Sequence, residues 1–133
     1  MTEPPSGAPP PESAELRGGP TLDLRALAEE ICTRYRAEFP DEEQRYGDAG
    51  VAWCVHDNQH LLNWAVIESN GDGGFERKLA WLAGVLEARD FPLERLVRDL
   101  EIAAQVVGQA ELAETLSSGA RFVGGGRSAY DLL

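Results

Sequence analysis

The sequence predicts an all-α fold, a four-helix bundle-like domain set behind an N-terminal tail without fixed structure. Three observations carry that expectation. Apolar residues recur at helical spacing from Leu22 onward, and short segments rich in Gly, Pro, Asn and Asp separate the stretches that show it. No strand-like alternation occurs beyond Arg121-Phe122-Val123. The length of 133 residues suits one domain. Four amphipathic helices with short joints bury their stripes most simply as an antiparallel bundle.

Residues 1–20, MTEPPSGAPPPESAELRGGP, are rich in Pro, Gly and Ser and poor in bulky apolar side chains. Such a segment buries too little surface to offset the entropy of ordering it, so disorder is expected. The helical domain is expected over 21–117. Its first helix places Leu24, Leu27, Ala28, Ile31, Cys32, Tyr35 and Phe39 on one arc and ends at Pro40. Residues 41–50, DEEQRYGDAG, read as a capped single turn and then a glycine-bearing break. A second helix follows over 49–68, then a loop over 69–74 (SNGDGG) and a third helix over 75–89 with Phe75, Leu79, Leu82 and Leu86 as its stripe. Asp90-Phe91-Pro92 marks a corner, and Pro92 suits the first turn of a fourth helix. That helix is expected to reach Leu116, where Ser117-Ser118-Gly119 stops it and leaves 118–133 as a flexible tail. Ile102, Val106 and Leu112 stand off its main stripe, which means either a wider core or a dimer surface.

The second helix carries the residues most like chemistry. Its segment 53–66, WCVHDNQHLLNWAV, holds two tryptophans, a cysteine and both histidines of the chain. At about 100° per residue, Trp53, Cys54, Leu61, Leu62, Trp64 and Ala65 share a broad apolar arc, with Gln59, Asn63 and His56 opposite and His60 at the border. The breadth of that arc marks a central, buried helix. His56 and His60 are four apart and can reach one ion, but a structural zinc wants four ligands and no third histidine or C-x-x-C exists. H-D-N-Q-H has the spacing of the zinc-protease motif with Asp57 where the glutamate belongs. No metal site is therefore assigned, although Glu68, Glu87 or Glu101 could complete one. Asp57 and Asn58 fall inside the apolar arc. An unpaired buried amide costs roughly 1–3 kcal/mol, so both need partners, with Arg34, Arg45, Tyr35, Tyr46 or a helix end as candidates. The pair either fixes helix register or, with His60 and His56, lines a pocket walled by Trp53, Trp64 and Trp81.

Other motifs are weaker. The loop at 69–74 fails the EF-hand pattern, because Glu68 and Leu79 would occupy its two ends. Gly124-Gly125-Gly126 lacks the strand-to-helix setting of a phosphate loop. It leads instead into a segment ending Tyr130-Asp131-Leu132-Leu133, which has the form of a docking peptide.

The net charge of −11 opposes non-specific grip on nucleic acid and docking on anionic lipid. Two cysteines on apolar faces, with no secretory signature, read as reduced thiols in a cytoplasm. No stretch approaches the roughly 18 apolar residues of a membrane span.

Two functions are expected from these features. The first is a small non-catalytic regulatory or adaptor protein that binds a protein partner or a second copy through helix faces or tails. The second is a sensor holding a tetrapyrrole, a metal or a small organic ligand at His56, His60, Asp57, Asn58 and the tryptophans; the sequence names no cofactor. An enzyme using Asp57 and His60 as an acid–base pair ranks third, since neighbouring helical turns favour a structural hydrogen bond.

Overall fold

A computed structural model describes residues 8–125. The described residues are predominantly helical, forming five helices where four were expected, preceded by a short antiparallel hairpin. The hairpin pairs β1 (Ser13–Glu15) with β2 (Thr21–Asp23), placing Ala14 opposite Leu22. This corrects the expectation that 1–20 lacks structure, so far as those residues are described. Little in the hairpin's own sequence favours strands. It is held by amides from another element. Arg17 N–H donates to Asn70 Oδ1 at 2.7 Å, Asn70 Nδ2 donates to Glu15 O at 2.9 Å, and Gln59 Nε2 donates to Pro11 O at 3.1 Å.

Asp23 caps α1 (Leu24–Glu38) by accepting from Ala26 N–H at 3.0 Å. Pro40 ends α1 and opens α2 (Pro40–Ser69) at its first position, where the missing N–H costs nothing. Asp41, Glu42 and Glu43 fill the first turn of α2, where negative charge meets the positive helix end. The expected break falls at Gly47, whose φ of 62° and ψ of −149° kink the helix. Beyond the kink, α2 runs through the histidine segment to Ser69 without further interruption.

Helix α3 (Phe75–Ala88) starts at left-handed Gly74, and Glu68 reaches from α2 to accept from Phe75 N–H at 3.1 Å. The expected long fourth helix is two helices. Gly108, at φ 76°, separates α4 (Leu93–Val106) from α5 (Ala110–Gly124), and α5 packs against α4. This resolves the second apolar face in favour of a wider core, since Ile102 is 1% exposed and Leu112 is fully buried.

Ser117-Ser118-Gly119 does not stop a helix. A Cβ at Gly119 would lie 2.8 Å from Phe75 Cε2 and 2.9 Å from Leu79 Cδ1, so the missing side chain is the notch that lets α5 approach α3. The rest of the expected C-terminal tail, residues 126–133 with its docking-peptide form, lies outside the described residues. Leu24, Ile31, Leu62, Leu79, Leu100 and Leu116 fill the shared core of all five helices.

The cysteine expectation is also corrected. Cys32 on α1 and Cys54 on α2 form a disulfide, with Cα atoms 6.0 Å apart. Both side chains sit on core-facing stripes of adjacent helices, and those stripes meet. The bond withdraws the ground for expecting a reducing compartment. No helix among the described residues is long and apolar enough to cross a membrane.

Candidate functional site

The kink at Gly47 sets the direction of the long remainder of α2, and with it a stripe of residues spaced three or four apart: Trp53, His56, Asp57, His60 and Trp64. Their rings form a ladder. Trp53 and His56 have centroids 5.2 Å apart, His56 and His60 4.8 Å, and His60 and Trp64 6.0 Å. The first two contacts are edge-to-face, the arrangement that aromatic quadrupoles favour. Lys78 Nζ lies 5.7 Å from the centre of the Trp64 ring, as a cation–π contact at the end of the ladder.

Facing this ladder across a groove of about 410 Å³ are Trp81, Leu82, Val85, Leu86 and Arg89 of α3 and its C-terminal end. Six of the seven candidate residues, Trp53, His56, Asp57, His60, Trp64 and Trp81, line this one groove. Trp81 stands at its rim with 64% of its surface exposed. The groove's size falls within the range of small-molecule sites.

The helical wheel sets His56 on the solvent side. The structure puts it in the groove, between Trp53 and His60. Gln59, also read as solvent-facing, is only 4% exposed because the hairpin covers it.

The electrostatics follow from burial. His56 Nδ1 and Asp57 Oδ1 are 3.1 Å apart. Burial raises the Asp57 carboxyl above its ordinary range, and the contact with His56 partly opposes that. Burial and the nearby His56 lower the pKa of His60, which keeps its imidazole neutral near pH 7 and able to donate at one nitrogen while accepting at the other. The two histidines meet edge to face. Among the described residues, no group of three or more His, Cys, Asp or Glu is placed to hold a metal ion. Glu68 caps α3, and Glu101 pairs with Arg98 at 3.6 Å.

Asn58 leaves the groove. It is 3% exposed and turns toward α1 and α4, where Nδ2 donates to Cys54 O at 3.0 Å and to Asp99 Oδ1 at 3.1 Å. The Cys32 and Cys54 sulfurs lie 3.5 and 3.6 Å from the same nitrogen. None of the anticipated partners serves Asn58, and Asp57 pairs with its neighbour. Sequence reasoning passed over Asp99, which is 7% exposed and pushed up to about 7, chiefly by burial. Its position on the helical wheel, between the Leu96–Leu100 stripe and the Ile102–Val106 stripe, was the signal that could have found it. Val85 and Arg89, also missed, share the helix face of Trp81.

Comparison with family models, with curated proteins and with solved structures finds no match for this chain. The reading of function therefore rests on the groove's chemistry.

Proposed function

We propose that the protein binds a small, flat organic molecule in the α2–α3 groove, without turning it over, and acts as a ligand sensor or carrier. The observation that carries this reading is the convergence of all three tryptophans and both histidines on one groove of drug-sized volume. Indole faces supply stacking area, neutral His60 supplies one donor and one acceptor, and Arg89 and Asp57 supply charge at the edges. Among the described residues, the groove is lined by no Ser, Thr, Cys or Lys that could serve as a nucleophile, and Asp57 is engaged by His56. An organic ligand is preferred to the metal version of the expected sensor because, among the described residues, no group of three or more His, Cys, Asp or Glu is placed to hold an ion.

One observation favours the adaptor reading as second choice. An exposed Trp at the rim of an apolar groove is the kind of side chain that anchors a protein interface. The homodimer version loses its motive, since α5 covers the spare face of α4.

Tryptophan fluorescence with 2-naphthol as the probe tests the first reading. Saturable quenching that weakens at least tenfold in Trp81→Ala and in His60→Ala is expected. Linear, unsaturable quenching that is identical in the variants ends this reading. A clean apo mass in native mass spectrometry, together with a co-purifying protein lost in Trp81→Ala, transfers support to the adaptor.

A further inference from the structure

The groove between α2 and α3 has a direction, and its charges are not spread evenly along it. The short turn between Ser69 and Phe75 sends the two helices in opposite directions. The start of α3 therefore adjoins the Trp64 end of the ladder, where Lys78 lies over the indole. Its C-terminal end adjoins the other half, where Arg89 is near enough to Asp57 to act on its charge. Trp81, Val85 and Arg89 recur every four residues and share the face of α3 that lines the groove. Between Trp81 and Arg89 the backbone rises about 12 Å, which leaves room for a ring beside the indole and a charged group beside the guanidinium.

Asp57 and Arg89 both line the groove, but they are not equally available to a ligand. One Asp57 oxygen lies 3.1 Å from His56 Nδ1, and burial favours its neutral form. Arg89 is exposed and makes no hydrogen bond or ion pair among the described residues, whereas Arg25, Arg34, Arg95, Arg98 and Arg121 each lie within 4 Å of a carboxylate. A guanidinium stays charged at any working pH, and its planar fork of N–H donors matches the two oxygens of a carboxylate. Neutral His60 offers one more donor. An amine entering the same space would meet a carboxylate already shared with His56 and a cation that repels it. The net charge of −11 opposes an acid at long range, but salt screens exposed charges beyond about 8 Å. Close to the groove, Arg89 decides.

We propose that the groove's ligand is an aromatic carboxylic acid of one or two fused rings, bound as its carboxylate, with the rings against Trp81 and the ladder and the carboxylate on Arg89. This rests on the reading of the groove as a small-molecule site, and narrows it to one chemical class. The indoles and the Leu82 and Val85 side chains receive the flat, apolar part of such a molecule. Arg89 fixes its orientation along the groove.

Isothermal titration calorimetry on the full chain, at pH 7 and low salt, compares three probes that share one ring system: 2-naphthoate, 2-naphthol and 2-naphthylmethylammonium. The naphthoate is expected to bind about tenfold more tightly than the naphthol, and the ammonium more weakly than both. Arg89→Gln, checked for folding by circular dichroism, is expected to bring the naphthoate down to the level of the naphthol and to leave the naphthol within about twofold. Arg77→Gln, on α3 but outside the groove's lining, is expected to keep the preference for the acid. Equal binding of naphthoate and naphthol overturns the acid while the organic-ligand reading stands. Tightest binding of the ammonium overturns it in favour of Asp57 as the charged contact. Equal losses of naphthoate and naphthol in Arg89→Gln overturn it as well, because Arg89 is then a wall and not the carboxylate's partner. No saturable binding of any probe ends both this proposal and the reading beneath it.

Discussion

Asp99 is the residue with the most to say about stability. Burial holds its carboxyl protonated up to about 7, whereas an unfolded aspartate releases its proton near its ordinary 3.8. Between those values the folded chain binds more protons than the unfolded one, so this residue's contribution declines as pH rises through the window. His60 acts with the opposite sign, because a lowered folded pKa adds stability as pH climbs through the histidine range. We expect the urea midpoint to fall between pH 4 and pH 7 by an amount worth on the order of a few kcal/mol, and Asp99→Asn to flatten most of that fall. A profile unchanged by the substitution would show that Asp99 is not the group responsible. Trp81 is the contrasting case. It is exposed, so Trp81→Ala is expected to shift folding stability by no more than about 0.5 kcal/mol while weakening the groove's ligand. Equal losses of stability and binding would mean that Trp81 holds the fold together. At this scale the sequence was half legible. The position of Asn58 on an apolar arc announced a buried amide, but its partner lies 41 residues away, and no helical wheel reports which stripe of a distant helix it will meet.

Among the elements, two glycines of the last third of the chain exchanged their expected roles. Local chemistry makes Gly119 a stop and leaves Gly108 inside a helix. The packed structure does the reverse, because Gly108 is the one of the two that adopts the left-handed backbone of a helix end, and Gly119 lies where α5 presses on Phe75 and Leu79. Gly119→Ala should therefore cost about 1–3 kcal/mol in urea unfolding through overpacking, despite the better helix propensity of alanine. Gly84, on the outer face of α3 with open space where a methyl group would stand, offers the control, and Gly84→Ala should add about 0.5–1 kcal/mol. A neutral Gly119→Ala would show the α3–α5 contact to be slack. The boundaries that sequence did anticipate, at Pro40, Gly47, the 69–74 loop and Pro92, are those where proline or glycine acts through its own backbone. Where a contact between helices decides, the local pattern had no means of reporting it.

At the scale of the whole molecule, the disulfide joins the first two helices beside the buried Asn58–Asp99 pair. It closes a loop between residues 22 apart in sequence, and such a loop restricts the unfolded chain by about 3 kcal/mol. We expect the Cys32→Ala, Cys54→Ala double variant to lose roughly that much stability, and the unaltered protein to show no reactive thiol before reduction. A full thiol titre in native buffer would refute the bond. The sequence placed both cysteines on apolar faces, yet the pairing depends on how two helices rotate about their axes, which is a tertiary choice. The all-α class was legible because it follows from one periodicity repeated along the chain; the number of helices was not, because it depends on the turn at Gly108.

The small hairpin has a practical consequence for anyone who shortens this protein. Gln59 and Asn70 each direct an amide at the backbone of residues 11–17, so cutting the chain before Leu22 strands those two side chains on the spine that carries the ladder of rings. What resembles a dispensable leader thus serves as a splint, and ligand studies on trimmed versions would be measuring a bowed or loosened scaffold.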